Sequence, residues 1–565
     1  PGEHRLARVN NRRMTEHRPR PRDDSEEQLG FRRRRSVRWL APSVLISSGI
    51  KSVLASIFGS YADKRELQGG LPGRVHQHGG DELWFDFVAD LGDGFDATFS
   101  VASLLAAPRL DLDGHELPRG QLLVMGGDEV YPAASPIDYE DRTKGPYRAA
   151  LPEATPAPTL FALPGNHDWY DGLTAFLRVF AQGRDIGGWS TEQTRSYFAI
   201  ELPQRWWLFA IDTQFGEYID APQLEYFRAA AAHLREGDAV ILCTPKPSWV
   251  DAGSGVDPRG YDVIEFFDRE VVQPSGATTR VMISGDAHHY ARYSEQGGER
   301  QRITSGAGGA YLSATHTLPE SLTLPPKASR VAGRSAETVF TKAETYPSRD
   351  ESAGLATGIF RLPWRNPGFW ELTAILQTVL ALFAQFGLTA EPDGLFGVLA
   401  VWAPTAFAVV GLVVAGVVFA QDSVLAGLLH SAAHLLLAAL WAVFVLWLQH
   451  QVADWVTLVV VFVATPVLIG FLDAEVVALY LLLASRAGIN VNEAFAGQAI
   501  EDHKGFVRLH IDTAGDLTIY PVKVPRVVRK WRANPAGAPQ SPWLLPDGEE
   551  LTAELIEAPI KVSRG

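Results

Sequence analysis

Cysteine is almost missing from this chain: Cys243 is the only one in 565 residues. A disulfide within the chain is therefore excluded, as is a metal site built from several thiolates. Basic residues are also in deficit. There are 51 Lys and Arg against 65 Asp and Glu, a net charge of −14, which argues against nucleic acid as a partner over most of the surface. Internal repeats and low-complexity tracts are absent. Long uncharged apolar runs are scarce before residue 369 and dominate the stretch after it, so the near-neutral average hydropathy blends two solvents.

A chain of this length exceeds one ordinary core. Residues 1–36 are rich in Arg and poor in apolar content and are expected to be disordered. In residues 37–80, the arginines Arg32–Arg35 precede an apolar stretch, Val37–Phe58, in the manner of a signal peptide. Arg38, Pro42 and Lys51 interrupt that stretch, and no small-x-small cleavage site follows. A helical, amphipathic segment lying on a lipid surface and a simple packing helix are both open readings.

From 81 to 318 short apolar runs alternate with helical stretches. Strands are expected at Leu83–Ala89, Gln121–Met125, Leu160–Leu163, Trp206–Ile211, Ala239–Cys243 and Arg280–Ser284, and helices at Phe99–Ala107, Leu173–Ala181 and Pro222–Arg235. This pattern implies a layered α/β domain with functional groups at strand C-termini. Residues 319–368 are read as a connecting segment. Residues 369–485 are read as an all-α transmembrane domain with spans at Phe369–Leu388, Leu395–Ala420, Val424–Leu448 and Trp455–Leu472, the last able to continue to Ser485. The loops at 389–394, 421–423 and 449–454 carry no Lys or Arg, whereas Arg361, Arg365 and Arg486 flank the set. Four spans with both ends cytoplasmic follow, and so a multi-pass cell-membrane protein with a cytoplasmic globular domain; three spans with an external tail is the alternative. Residues 486–565 read as a soluble tail with a hairpin, Phe506–Ile511 and Leu517–Val522, followed by a basic stretch, Lys523–Arg532, facing headgroups or solvent.

The chemistry resides in short polar motifs that follow the strands: Asp90-Leu91-Gly92, Gly127-Asp128-Glu129-Val130-Tyr131, Gly165-Asn166-His167-Asp168 and Gly285-Asp286-Ala287-His288. Metal-assisted phosphoester hydrolysis needs carboxylates to hold and bridge cations, imidazoles for selectivity and an acid near the leaving group. Asp90 is a candidate ligand, Asp128 the bridging carboxylate, Asn166 an amide-oxygen ligand that also reaches substrate, and His288 an imidazole ligand. His167 is the candidate general acid, with Asp168 orienting or tuning it. Asp93 and Asp96 line the site or cap the helix that begins near Ala97. Within the membrane stretch, His430 and His434 share a helix face, and Asp473 and Glu475 lie near its end. Interhelical hydrogen bonding and an ion or headgroup site are both open readings.

This motif series resembles the calcineurin-like metallophosphoesterase superfamily, and its Asp-x-Gly and Gly-Asp-x-x-Tyr forms are similar to purple acid phosphatases. The resemblance covers roughly residues 81–318. It implies a layered metallophosphoesterase β-sandwich flanked by helices, and a first metal, usually iron, held by Asp90, Asp128, Tyr131 and His288. A tyrosinate suits ferric iron. The second site departs from the family. No His follows Val240–Cys243, where Lys246 stands instead, and Asp286 replaces the first His of Gly-His-x-His. The remaining ligands would be Asp128, Asn166 and Asp286, an oxygen-rich set that favours Mn or Mg over Zn. Lys246 either faces the substrate phosphate or is solvated. A phosphate mono- or diesterase acting on a phosphorylated small molecule or a lipid phosphoester at the bilayer is expected. The alternative is a degraded domain that binds a phospho-ligand and signals.

Overall fold

The computed structural model describes residues 18–59, 64–214, 218–421 and 423–565. Its main strands are β1 (Leu83–Val88), β2 (Leu122–Met125), β3 (Thr159–Ala162), β4 (Phe198–Glu201), β5 (Trp206–Ala210), β6 (Ala239–Thr244), β7 (Thr278–Ser284), β8 (Tyr290–Glu295), β9 (Gln301–Ser305), β10 (Thr338–Tyr346), β11 (Lys504–Ile511) and β12 (Leu517–Val524). Several, such as β2 and β6, are apolar along nearly their whole length because both faces are buried. One sheet runs β12-β11-β1-β2-β3, with β1, β2 and β3 parallel and β11 antiparallel to both neighbours. The other runs β4-β5-β6-β7-β9-β8-β10, parallel through β5, β6, β7 and β9 and antiparallel at β4 and β8.

The two sheets share one core. Phe85, Phe87, Val124 and Phe161 meet Trp206, Leu208, Ile241 and Ile283, and Cys243 is buried among them. Helices cover the outer faces: Phe99 and Leu105 pack over the first sheet, and Phe227 and Phe267 over the second. Each sheet is therefore buried on both sides, and polar groups are left to the strand ends.

The helices that matter here are α1 (Pro42–Gly59), α2 (Phe95–Ala106), α3 (Pro367–Thr389), α4 (Gly394–Phe419), α5 (Val424–Gln449) and α6 (Asp454–Arg486). The last four are long and apolar enough to cross a membrane. α6 is continuous because a π-helical stretch, Val460–Ile469, absorbs Pro466, which has no N–H to donate. Between the helices, His434 Nδ1 lies 2.6 Å from Asp473 Oδ1 and its Nε2 lies 2.8 Å from His430 Nε2, all three side chains buried. These groups hydrogen-bond to one another across the α5–α6 contact.

Several segments differ from their sequence reading. Of residues 1–36, 1–17 lie outside the described residues; within 18–36, Leu29 and Phe31 are buried in the core beside α2, so this stretch is ordered. The connecting segment 319–368 supplies β10. The hairpin of the tail is no appendage: β11 pairs residue by residue with β1, from Val507 opposite Phe87 to Ile511 opposite Leu83. Its strands carry apolar residues for the shared core, which a free tail would expose. Two charges of the basic stretch are paired, Lys523 with Glu554 and Arg529 with Asp502. Asp93 and Asp96 cap nothing; the N-cap of α2 is Gly94.

Candidate metal centre

The motifs converge where the parallel strands of both sheets end. Asp90 follows β1, Asp128 follows β2, and Asp286 follows β7. All three adopt the left-handed backbone conformation, with φ of 60°, 52° and 69°. Non-glycine residues rarely tolerate it, and it turns the chain sharply enough to gather groups from neighbouring strands at one place. Close approach also depends on glycine. A Cβ at Gly165 would collide with Asp128 Oδ1, and one at Gly306 with Asp90 Oδ2. The glycine loop after β9 therefore wraps the Asp90 turn, with Ala310 N–H donating to Asp90 O at 2.8 Å.

Four donor atoms meet at one point. Tyr131 Oη donates to Asp90 Oδ1 at 2.9 Å and lies 3.2 Å from Asp128 Oδ2 and 3.1 Å from His288 Nε2. All four residues are buried. Burial, reinforced by the charge of Asp286, lifts Asp90 well above the ordinary carboxylate range; burial and the charges of Asp90, Asp168 and Asp286 do the same to Asp128. Burial and these carboxylates raise the Tyr131 phenol well above 10, while burial, then Lys504, lowers His288. Two buried carboxylates, a phenol and an imidazole are the donor set a hard multivalent cation would take, and its charge would offset their repulsion. No group of three or more His, Cys, Asp or Glu among the described residues is arranged to hold a metal ion, and the Tyr131 hydroxyl lies between Asp90, Asp128 and His288.

Asn166, His167 and Asp168 open a short helix after β3. Asn166 donates its amide nitrogen to Tyr170 Oη at 3.2 Å, which turns its amide oxygen away from that bond. His167 N–H donates to Asp128 Oδ1 at 2.9 Å, and its Nδ1 donates to Pro132 O at 2.8 Å, so Nε2 is the atom left for chemistry. Burial lowers His167 to about 4. Asp168 is not the partner of His167. It accepts from Gly165 N–H at 2.9 Å, from Glu129 N–H at 3.3 Å and from Tyr139, and so braces the turn. Glu129, beside it, is fully buried rather than facing solvent. Asp286 contributes its backbone, whose N–H donates to Asp90 Oδ2 at 2.9 Å; its side chain reaches the surface at the rim of the centre, where loss of solvation raises its carboxyl to about 6 against the lowering charge of Lys246. Lys246 lines a cavity of about 460 Å³ with Thr213, Arg259 and Arg330.

Four further residues shape the centre, of which the sequence marks only Asp93, as a residue able to line the site. Trp39 lays its ring over Tyr131, His167 and Tyr311 at 5.4–5.6 Å. Tyr311 stands edge-on to His288 at 4.5 Å. Asp93 holds this cover in place, accepting from Val37 N–H at 2.6 Å, Tyr311 N–H at 3.2 Å and the Trp39 indole at 3.4 Å. Lys504, the first residue of β11, is fully buried with no hydrogen-bond partner for its ammonium among the described residues, and burial lowers it to about 8.

No family model matches the chain, and no curated protein sequence is similar to it. Among solved structures, the purple acid phosphatase PPD1 from yellow lupin (Lupinus luteus) seeds is similar at 12% identity and a TM-score of 0.26, over 49% of this chain and 51% of that one. PhoD is similar at 12% identity and a TM-score of 0.27, over 42% of this chain and 59% of that one. The chain thus spans between half and three fifths of the length of these two structures.

Proposed function

We propose that this chain is a membrane-embedded, metal-dependent phosphoesterase of the calcineurin-like superfamily, with purple acid phosphatase-like motifs and a cytoplasmic catalytic domain. The observation that carries the reading is the convergence of Asp90, Asp128, His288 and Tyr131 on one point, with His167 bonded to Asp128. Asp90, Asp128, Tyr131 and His288 would hold a first cation, iron by its donors. Asp128 and Asn166 would hold a second, Mn or Mg, with the Asp286 carboxylate close by. Bound there, such cations supply an acidified water and a clamp on phosphate.

The chain's own residues do the rest. Pro132 O fixes the His167 ring, so that Nε2 is the atom that takes up a proton and passes it to the leaving oxygen. Burial keeps this histidine neutral at rest, and the negative charge of a bound ester favours its protonated form. Trp39 and Tyr311 exclude water from the same face. Lys246, with Arg259 and Arg330 behind it, supplies positive charge for the substrate. Attachment to four apolar helices supports a lipid phosphoester or a soluble phosphorylated metabolite presented at the bilayer.

The test combines elemental analysis and the visible spectrum of the purified full chain with hydrolysis of p-nitrophenyl phosphate and its bis ester. Iron with a tyrosinate band, turnover, and a loss of about 10²–10⁴-fold on His167→Ala are expected. Tight phosphate binding without turnover in any metal would overturn hydrolysis in favour of a phospho-ligand-binding module, the reading favoured by the exposed Asp286 and the Lys that replaces a His.

A further inference from the structure

A second cavity, of about 600 Å³, lies where the globular domain meets the helices, between the 33–38 segment, Trp364–Arg365 and Trp531, and none of the residues lining it is one of the candidate metal ligands. In a chain with a net charge of −14, its lining is dominated by arginine. Some of that charge is spent internally: Arg33 pairs with Asp24, Arg34 with Asp141, and Arg529 with Asp502. Of the two carboxylates in the wall, Asp96 accepts from the Trp531 indole and Glu501 lies 4.0 Å from Arg529. Arg35, Arg38 and Arg365 make no ion pair among the described residues, although all three face this cavity. Three unpaired guanidiniums around one cavity call for an anion, and the planar guanidinium fork matches phosphate oxygens in pairs.

The rim of the cavity says where the anion comes from. Arg365 stands two residues before α3, and Trp364 is 68% exposed with its ring against Trp370 of α3 and Phe471 of α6. On α3, Leu372 and Ile375 follow as exposed apolar side chains. The 33–38 segment runs directly into α1, whose first turn meets α3 at Gly368 and which exposes Leu45, Ile46 and Ile50. An aromatic ring at the junction of a charged cavity and apolar helix surfaces is the arrangement found at the headgroup level of a bilayer. We infer that this cavity binds the phosphate headgroup of an anionic phospholipid, with the acyl chains lying along α1 and α3. The assignment is independent of catalysis at the metal centre.

Native mass spectrometry of the detergent-solubilised full chain tests it, with phosphatidylglycerol, phosphatidylcholine and inorganic phosphate as probes. One retained phosphatidylglycerol per chain is expected, with phosphatidylcholine much weaker and millimolar phosphate a poor competitor. The triple variant Arg35→Gln, Arg38→Gln, Arg365→Gln should lose roughly a hundredfold in phosphatidylglycerol affinity. The Lys triple variant, which keeps the charge and loses the paired geometry, should fall between the wild type and the Gln variant, which separates charge from misfolding. Equal retention of both lipids, or an adduct indifferent to the Gln triple variant, would overturn the site. Displacement of the lipid by millimolar phosphate would overturn the lipid and leave a site for a soluble anion.

Discussion

Asp86 and Arg508 face each other in register on adjacent antiparallel strands, Nε to Oδ1 at 2.7 Å and Nη2 to Oδ2 at 3.0 Å, both side chains buried. Arg508 also donates to Leu117 O at 3.0 Å. The pair ties the hairpin that follows the membrane helices to the first strand of the globular domain. Removing one partner leaves an uncompensated buried charge. Arg508→Leu should therefore destabilise the chain by about 3–5 kcal/mol, and Asp86→Leu with Arg508→Leu should recover most of that. Denaturant melts of the three variants check both the sign and the recovery.

Asp128 carries a second kind of stress, since it is buried beside Asp90 and within the field of Asp168 and Asp286. In chelator, Asp128→Asn should raise the melting temperature, by about 1 °C for each kcal/mol of repulsion relieved in a chain of this size. On adding Mn or ferric iron, the wild-type chain should gain stability and the variant should not. Thermal melts with and without metal read both effects, and a variant that loses stability in chelator would argue against electrostatic crowding.

The Asp93 carboxylate is the peg under Trp39 and Tyr311, and burial raises it to about 6 from an ordinary value of 3.8. Between pH 4 and 6 the folded state therefore holds a proton that the unfolded chain has released. The contribution of this group to stability is full below that window and falls as pH rises through it, by up to about 1.4 kcal/mol per pH unit. Asp93→Asn cannot titrate, so the difference in unfolding free energy between wild type and variant should carry that slope. A difference flat with pH would place the titration elsewhere.

Sidedness is directly measurable. The starts of α1 and α3 meet at Gly368, and the later part of α6 packs with Leu40, Leu312 and Ile359 of the globular domain. A reporter fused after Gly565 should therefore report the same side as one inserted in the exposed loop at Gly114, and that side should be the cytoplasm. An external signal from either fusion would remove the cytoplasmic assignment.

Two parts of the molecule were legible from the amino-acid order because each rests on a local rule. The helices α4 and α5 follow from uncharged apolar runs and α3 and α6 from runs diluted by Glu371, Gln377, Gln385, Asp473 and Glu475, since a chain crossing hydrocarbon must satisfy its backbone within one helix, and their breaks at 389–394, 421–423 and 449–454 are visible as polar interruptions. The gathering of Asp90, Asp128 and His288 follows from polar residues placed directly after buried strands, because parallel strands deliver their C-terminal ends to one edge, whereas Tyr131 is expected beside them only from the resemblance to purple acid phosphatases. The tertiary structure alone decided the rest. Whether Asp168 serves His167 or the turn, whether Asp286 turns inward or toward solvent, and that Trp39, Tyr311 and Lys504 enclose the centre are questions of which surfaces meet. Trp39 and Lys504 are separated by more than four hundred residues, and Asp86 and Arg508 by 422. Such contacts are set by the burial of a shared core, where side chains take whatever partner the packing brings within reach, and no spacing along the chain encodes that choice.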